Sequence, residues 1–226
     1  MKKKKKQLFG QKKSNAIFGY HLFRVPAIKI SPLMIKLSMT ANQATFTSFL
    51  LGIIASVLLV GASYPYFLAS AIIYYLAKLF DYVDGEIARA QNIQAKIGKW
   101  GDRYGDVLKI IMPYFFLGLG MYLKTNNITY FILGLISVIF FLLFIVTRTI
   151  QMIMLNLYRY SEFQLTEKMH LGWTTPSSLL IMLFLLFNQP ILMLWFFSTI
   201  GVLPWLIKIY MSYKTIKDYD KKYKLV

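Results

Sequence analysis

Apolar positions in this chain fall into long runs, separated by short polar breaks. Six runs read as membrane spans: Ala44–Ser63, Tyr66–Ala90, Gly98–Leu123, Ile128–Leu157, Ser177–Phe187 and Pro190–Tyr213. Most approach or exceed the roughly 20 apolar residues that cross a bilayer as a helix. The fifth is short and is expected to begin a few residues earlier. Strict two-residue alternation is absent, so the pattern predicts helices and not a barrel. Pro113 and Pro204 lie inside spans and are expected to kink them. Residues Ile17–Leu37 are also apolar but are broken by Arg24, Pro26, Lys29, Pro32 and Lys36. That pattern predicts an amphipathic helix lying in the membrane interface. The expected fold is an all-α integral membrane protein of about six transmembrane helices after this interfacial helix. Its parts are a basic tail (1–16), the juxtamembrane helix (17–37), a six-helix domain (38–213) and a second basic tail (214–226).

Composition agrees with a single membrane domain: 226 residues, 57% of them hydrophobic. The formal charge of +17 raises nucleic acid as a partner. The placement of that charge argues for a lipid bilayer instead. Ten Lys and Arg precede the first span. Arg89, Lys96, Lys99 and Arg103 join the second and third, Arg159 and Lys168 join the fourth and fifth, and five lysines follow Met211. The other three connections hold only Lys124. The positive-inside rule then puts both termini and the second–third connection in the cytoplasm, in the cell membrane if the source is prokaryotic. Seven lysines lie within Met1–Lys13, with no short apolar run and cleavage site after them, so no signal peptide is expected. The lysines could also bind anionic lipid. There is no cysteine and so no disulfide.

The acids carry the chemistry. Five of the nine Asp and Glu fall between Asp81 and Asp106, flanked by apolar runs. A charge at bilayer depth costs about 2.5–3.5 kcal/mol, and four carboxylates together also repel. Asp81 and Asp84 are spaced i,i+3 and Asp102 and Asp106 i,i+4, so each pair shares a helix face. Two packed helices would bring all four into one pocket, with enough hard oxygen ligands for two Mg²⁺ or Mn²⁺ ions. Gly85 and Ala88 are small enough to let a substrate approach that helix, and Arg89 could hold a phosphate. Glu86 falls off the Asp81/Asp84 face and reads as a surface residue. Lys78 could compensate the aspartates or snorkel to the interface. Lys109 and Arg148 could bind a phosphate on an acceptor, though Lys109 could equally snorkel and Arg148 could be a positive-inside marker. His21 and His170 are too far apart for a histidine-based site.

The pattern D-x2-D-G-x2-A-R-x8-G-x3-D-x3-D resembles the signature of the CDP-alcohol phosphotransferase family. All eight fixed positions match: Asp81, Asp84, Gly85, Ala88, Arg89, Gly98, Asp102 and Asp106. The Thr40-Ala-Asn42-Gln-Ala-Thr45 element is similar to the family's T-P-N-x-x-T, with Ala41 in place of Pro. Ala95 stands where many members carry Ser or Thr. Gly85-Glu86 is similar to the branch that includes archaeal inositol-phosphate transferases. The resemblance implies transfer of a substituted phosphate from a CDP-alcohol to an acceptor hydroxyl, releasing CMP. It assigns the four aspartates to the metals and Asp106 to general base. It assigns Gly85, Ala88, Arg89 and Gly98 to the donor, with Asn42 and Thr45 completing that pocket. CDP-diacylglycerol is the favoured donor, an alcohol or alcohol phosphate the acceptor, and a homodimer the default assembly. A soluble CDP-polyol or CDP-amino alcohol donor is the alternative. An intramembrane prenyltransferase or a cation transporter is more distant, since the acids lie at helix ends in one split cluster.

Overall fold

The polar breaks in the apolar pattern become helix ends. In this computed structural model the described residues are 20–91, 96–156 and 174–222. The side chains of 96–100 and of Asp102 lie outside that description, as do the 1–16 tail, Ala95, Arg159, Lys168, His170 and the last four residues. The described residues form eight α-helices: α1 (Val25–Lys36), α2 (Ala41–Leu58), α3 (Tyr64–Gln91), α4 (Lys96–Thr125), α5 (Ile128–Asn156), α6 (Thr174–Leu186), α7 (Pro190–Thr199) and α8 (Val202–Lys222). A π-helical turn, Tyr20–Arg24, leads into α1, and a 3₁₀ turn, Leu59–Gly61, prolongs α2.

Thr40 caps α2. Its hydroxyl accepts from the Gln43 N–H at 3.3 Å, and the Gln43 side-chain oxygen accepts from the Thr40 N–H at 2.8 Å. This reciprocal capping box satisfies two backbone donors that a helix start leaves open. Five segments are long and apolar enough to cross a bilayer: Ala41–Gly61, Tyr64–Gln91, Arg103–Thr125, Ile128–Gln151 and Pro190–Asp218. The apolar helix at Thr175–Leu186 is shorter. The protein is therefore an all-α integral membrane protein.

The last span is not one helix. It breaks between Thr199 and Val202. The Pro204 ring would collide with the carbonyl four residues earlier if the helix continued. Pro204 instead falls in the first turn of α8, where its missing N–H costs nothing. A side chain at Gly201 would run into the Phe197 carbonyl. Pro113, by contrast, sits within an unbroken α4.

Small residues set the helix spacing. Ala44, Ser48, Gly52 and Ser56 recur every four residues on the buried face of α2. That stripe lets α2 and α3 approach closely. Ser48 donates to the Ala77 carbonyl at 2.9 Å, and Ser70 to the Ala55 carbonyl at 2.7 Å. Between α4 and α5 the backbones nearly touch. A Cβ on Gly134 would lie 2.6 Å from the Tyr114 carbonyl oxygen, and one on Gly118 would lie 2.9 Å from that of Tyr130. Backbone cannot yield as a flexible side chain can. Gly134→Leu is therefore expected to cost about 1–3 kcal/mol by overpacking, or about 2–12 °C in Tm. Gly101→Leu, which meets nothing within 4 Å, is the control. Equal melting temperatures in detergent for the two variants would refute the close-contact account.

Candidate active site

α3 and α4 run antiparallel, and Lys124 pins one end by donating to the Ala62 carbonyl at 2.6 Å. Counting from that end at 1.5 Å per residue, Asp81 lies about 26 Å down α3 and Asp106 about 28 Å up α4. Both sit in one layer, and its distance from that end is close to the roughly 30 Å thickness of a hydrocarbon core. Each carboxylate meets two lysines. Lys78 Nζ is 3.0 Å from Asp106 Oδ1 and 3.4 Å from Asp81 Oδ2. Lys109 Nζ pairs with Asp81 Oδ1, lies 3.4 Å from Asp106 Oδ1 and donates to Ser48 Oγ at 2.9 Å.

Lys109 is held from end to end. A Cβ at Gly52 would fall 2.6 Å from its Cγ, so Gly52 makes room for the stem. At 2% exposure Lys109 does not reach solvent. Lys78 is buried as well. The snorkelling that sequence alone left open for these two lysines does not occur; both neutralise the aspartates. Asp84, also buried, accepts from Thr45 Oγ1 at 2.6 Å. Thr45 thus joins α2 to the motif through an aspartate. Tyr74 donates to the Lys109 carbonyl at 2.9 Å and ties the same layer together.

Glu86 corrects an expectation. It is 0% exposed, not a surface residue. Arg89 Nη2 donates to Glu86 Oε1 at 2.7 Å, and Arg24 Nε lies 3.3 Å from the same oxygen. The face of α3 opposite Asp81 and Asp84 is covered by the chain around Phe23 and Arg24 and by α1. No pattern within α3 reveals that cover. Gly85 is likewise different from the expectation of open space. The Arg89 guanidinium lies across it, 3.3 Å from where a Cβ would be.

Ala88 lies half-buried on α3 beside Arg89, and Asn42 is exposed in the first turn of α2. Gly98 and Asp102 lie in the first two turns of α4, Asp102 one turn before Asp106. Arg148 is on α5, 20 residues from the end that Ile128 begins, so it reaches about 30 Å, the same layer as Asp106. Sequence reading passed over its neighbours. Lys208 is buried and donates to Gln151 Oε1 at 2.6 Å, which also accepts from Ser212 at 3.1 Å. A lysine inside the run Leu206-Ile207-Lys208-Ile209 was the available signal.

The donor chemistry suits a divalent cation. Oxygens of Asp81 and Asp106, from two helices, already grip shared positive charges, and carboxylate oxygen is the ligand that Mg²⁺ and Mn²⁺ prefer. Among the described residues no three acidic or histidine side chains converge. The Asp102 side chain is not among them.

Comparison with known proteins then decides the class. Residues 38–210 match the CDP-alcohol phosphatidyltransferase family. The chain belongs to that family. The family is one of CDP-alcohol phosphotransferases. A curated relative, the "Bifunctional IPC transferase and DIPP synthase" of Thermococcus kodakarensis, is 34% identical over 119 residues. That stretch is 53% of this chain and 26% of the relative, so the chain matches about a quarter of the relative's length.

Proposed function

We propose that this phosphotransferase moves a phosphatidyl group from CDP-diacylglycerol to the hydroxyl of a polar acceptor, releasing CMP. The observation that carries the reading is the layer of Asp81, Asp84 and Asp106 at one end of the bundle. An amphiphilic donor could lie there with its diphosphate at the aspartates and its chains in lipid. Asp81, Asp84, Asp102 and Asp106 would hold two Mg²⁺ or Mn²⁺ ions, which when bound would neutralise the diphosphate and polarise the phosphorus. Asp106 would take the acceptor's proton. Lys78 and Lys109 would balance the carboxylates until a cation arrives. Gly85, Ala88, Arg89, Gly98, Asn42 and Thr45 would form the donor pocket. Arg148, with Lys208 in electrostatic reach, would meet the phosphate of a phosphorylated acceptor. For Lys109 the same role would require it to leave Asp81. We further read six spans behind an interfacial α1, a cytoplasmic site and termini, and a homodimer.

A soluble CDP-polyol donor is the second reading. The relative's DIPP synthase name is what raises it. A CMP-release screen separates the two. It would pair CDP-diacylglycerol and CDP-inositol with serine, glycerol 3-phosphate and inositol phosphate, with Mg²⁺ or EDTA. Magnesium-dependent CMP release with CDP-diacylglycerol is expected. Release from CDP-inositol alone would establish the second reading, and release unaffected by EDTA would sink the metal assignment.

A further inference from the structure

Arg24 takes no part in the reaction as read above, yet it is one of the most buried charges among the described residues, at 5% exposure. The segment that carries it is fixed to α3. Phe23 stacks on Tyr82, with centroids 5.8 Å apart and planes 15° apart, and packs against Tyr75 at 5.6 Å. The Tyr75 hydroxyl donates to the Leu22 carbonyl at 3.2 Å. This anchoring delivers the Arg24 guanidinium to Glu86, beside the oxygen that Arg89 uses.

We propose that Arg24 is a positioning residue for the CDP-alcohol donor, acting through Glu86 on Arg89. The proposal rests on the reading of Arg89 as a donor-phosphate contact. Glu86 pulls the Arg89 guanidinium back along its own helix, three residues toward the aspartates. Gly85 leaves the space in which it lies. A Glu86–Arg89 pair alone would be neutral, and the carboxylate would oppose any phosphate that Arg89 approached. Two guanidiniums meeting one Glu86 oxygen offset its charge more fully than Arg89 alone does. Arg89 is the member that a ligand can reach, with its side chain 32% exposed against 7% for Arg24. One carboxylate also cannot satisfy two five-donor forks: Arg24 Nε and Nη2 and Arg89 Nε have no hydrogen-bond partner among the described residues, so Arg24 meets Glu86 as an ion pair. Arg24 therefore sets both the place and the effective charge of Arg89. The segment before α1 becomes part of the donor site without touching donor.

The test uses CDP, the part common to every CDP-alcohol donor, titrated calorimetrically into the full chain in nanodiscs with Mg²⁺. Arg24→Gln is expected to weaken CDP binding about tenfold, as loss of one charge-assisted contact would. Arg24→Lys keeps the charge and should recover most of that; Arg24→Met, which keeps an apolar stem and drops the charge, takes the place of the Gln variant in every arm if that variant fails to fold. The deciding arm is the cycle with Arg89→Gln. On that background Arg24→Gln should add less than twofold. If it adds its full tenfold, Arg24 acts independently of Arg89 and the proposal is overturned. If Arg24→Gln alone leaves CDP binding unchanged while Arg89→Gln weakens it, the proposal also fails and the donor reading stands. If Arg89→Gln itself leaves CDP binding unchanged, the reading of Arg89 fails, and the proposal with it.

Discussion

Asp81→Asn is expected to lower CMP release by at least about 100-fold, the scale seen when a preorganised electrostatic group at a reacting phosphate is lost. Asp81, like Asp106, is met by both lysines of the layer. Asparagine keeps its shape and removes its charge. Lys78 and Lys109 are then left against Asp106, and Asp84 is the one carboxylate of the layer that remains on α3. Asp84→Asn should lose less structure, because Thr45 can still donate to the amide oxygen, but a comparable share of turnover. Turnover with saturating Mg²⁺, read beside the melting temperature, separates chemistry from folding. Near-normal turnover of a well-folded Asp81→Asn protein would remove the aspartate layer from the reaction.

The second large effect is on stability. Lys109→Met removes a buried ammonium bonded to Ser48, Asp81 and Asp106. Breaking a buried ion pair on one side costs about 3–5 kcal/mol, or roughly 6–20 °C in Tm for a chain of this size. The methionine stem still fills the groove over Gly52, so little of the loss is packing. What is lost is positive charge, and a divalent cation can supply it. Lys109→Met in EDTA should therefore melt well below the wild type, and millimolar Mg²⁺ should recover much of the difference through binding to the folded state. The wild type should respond less. A variant that melts like the wild type, or one indifferent to Mg²⁺, would contradict the assignment of Lys109 as counter-ion to the aspartates.

Local patterns made much of this legible in the sequence. Apolar runs gave the long helices, and the Asp81-to-Asp106 spacing marked the end of the bundle where the acids gather. The misses are tertiary. Glu86 reads as surface because α3 alone does not say that Phe23 and Arg24 cover its far face. Gly85 reads as space for substrate because nothing in the sequence tells that Arg89 folds back over it. Lys78 and Lys109 were ambiguous because a lysine near a span end can snorkel. Only the paired carboxylate on the neighbouring helix, with Ser48 and Gly52 behind it, decides otherwise. The break at Gly201 follows from Pro204, but its place, one turn earlier than the proline, depends on which carbonyl the ring would strike. Lys208, Gln151 and Ser212 come together only when α5 and α8 pack.

The aspartate–lysine layer also bears on how the chain enters the membrane. Lys78 and Asp81 are three residues apart on α3, and Asp106 and Lys109 are three apart on α4. Each helix therefore carries its own opposite charges on one face before it meets the other. A lone charged residue costs about 2.5–3.5 kcal/mol at a helix centre on the insertion scale and less toward an end, where this layer lies, and pairing within the turn lowers that cost further while the segment is still alone in lipid. Once α3 and α4 pack, each lysine acquires a second partner across the interface, Lys78 with Asp106 and Lys109 with Asp81. Partner exchange of this kind lets the two segments be inserted one after the other during synthesis, and it fastens them together without waiting for a metal.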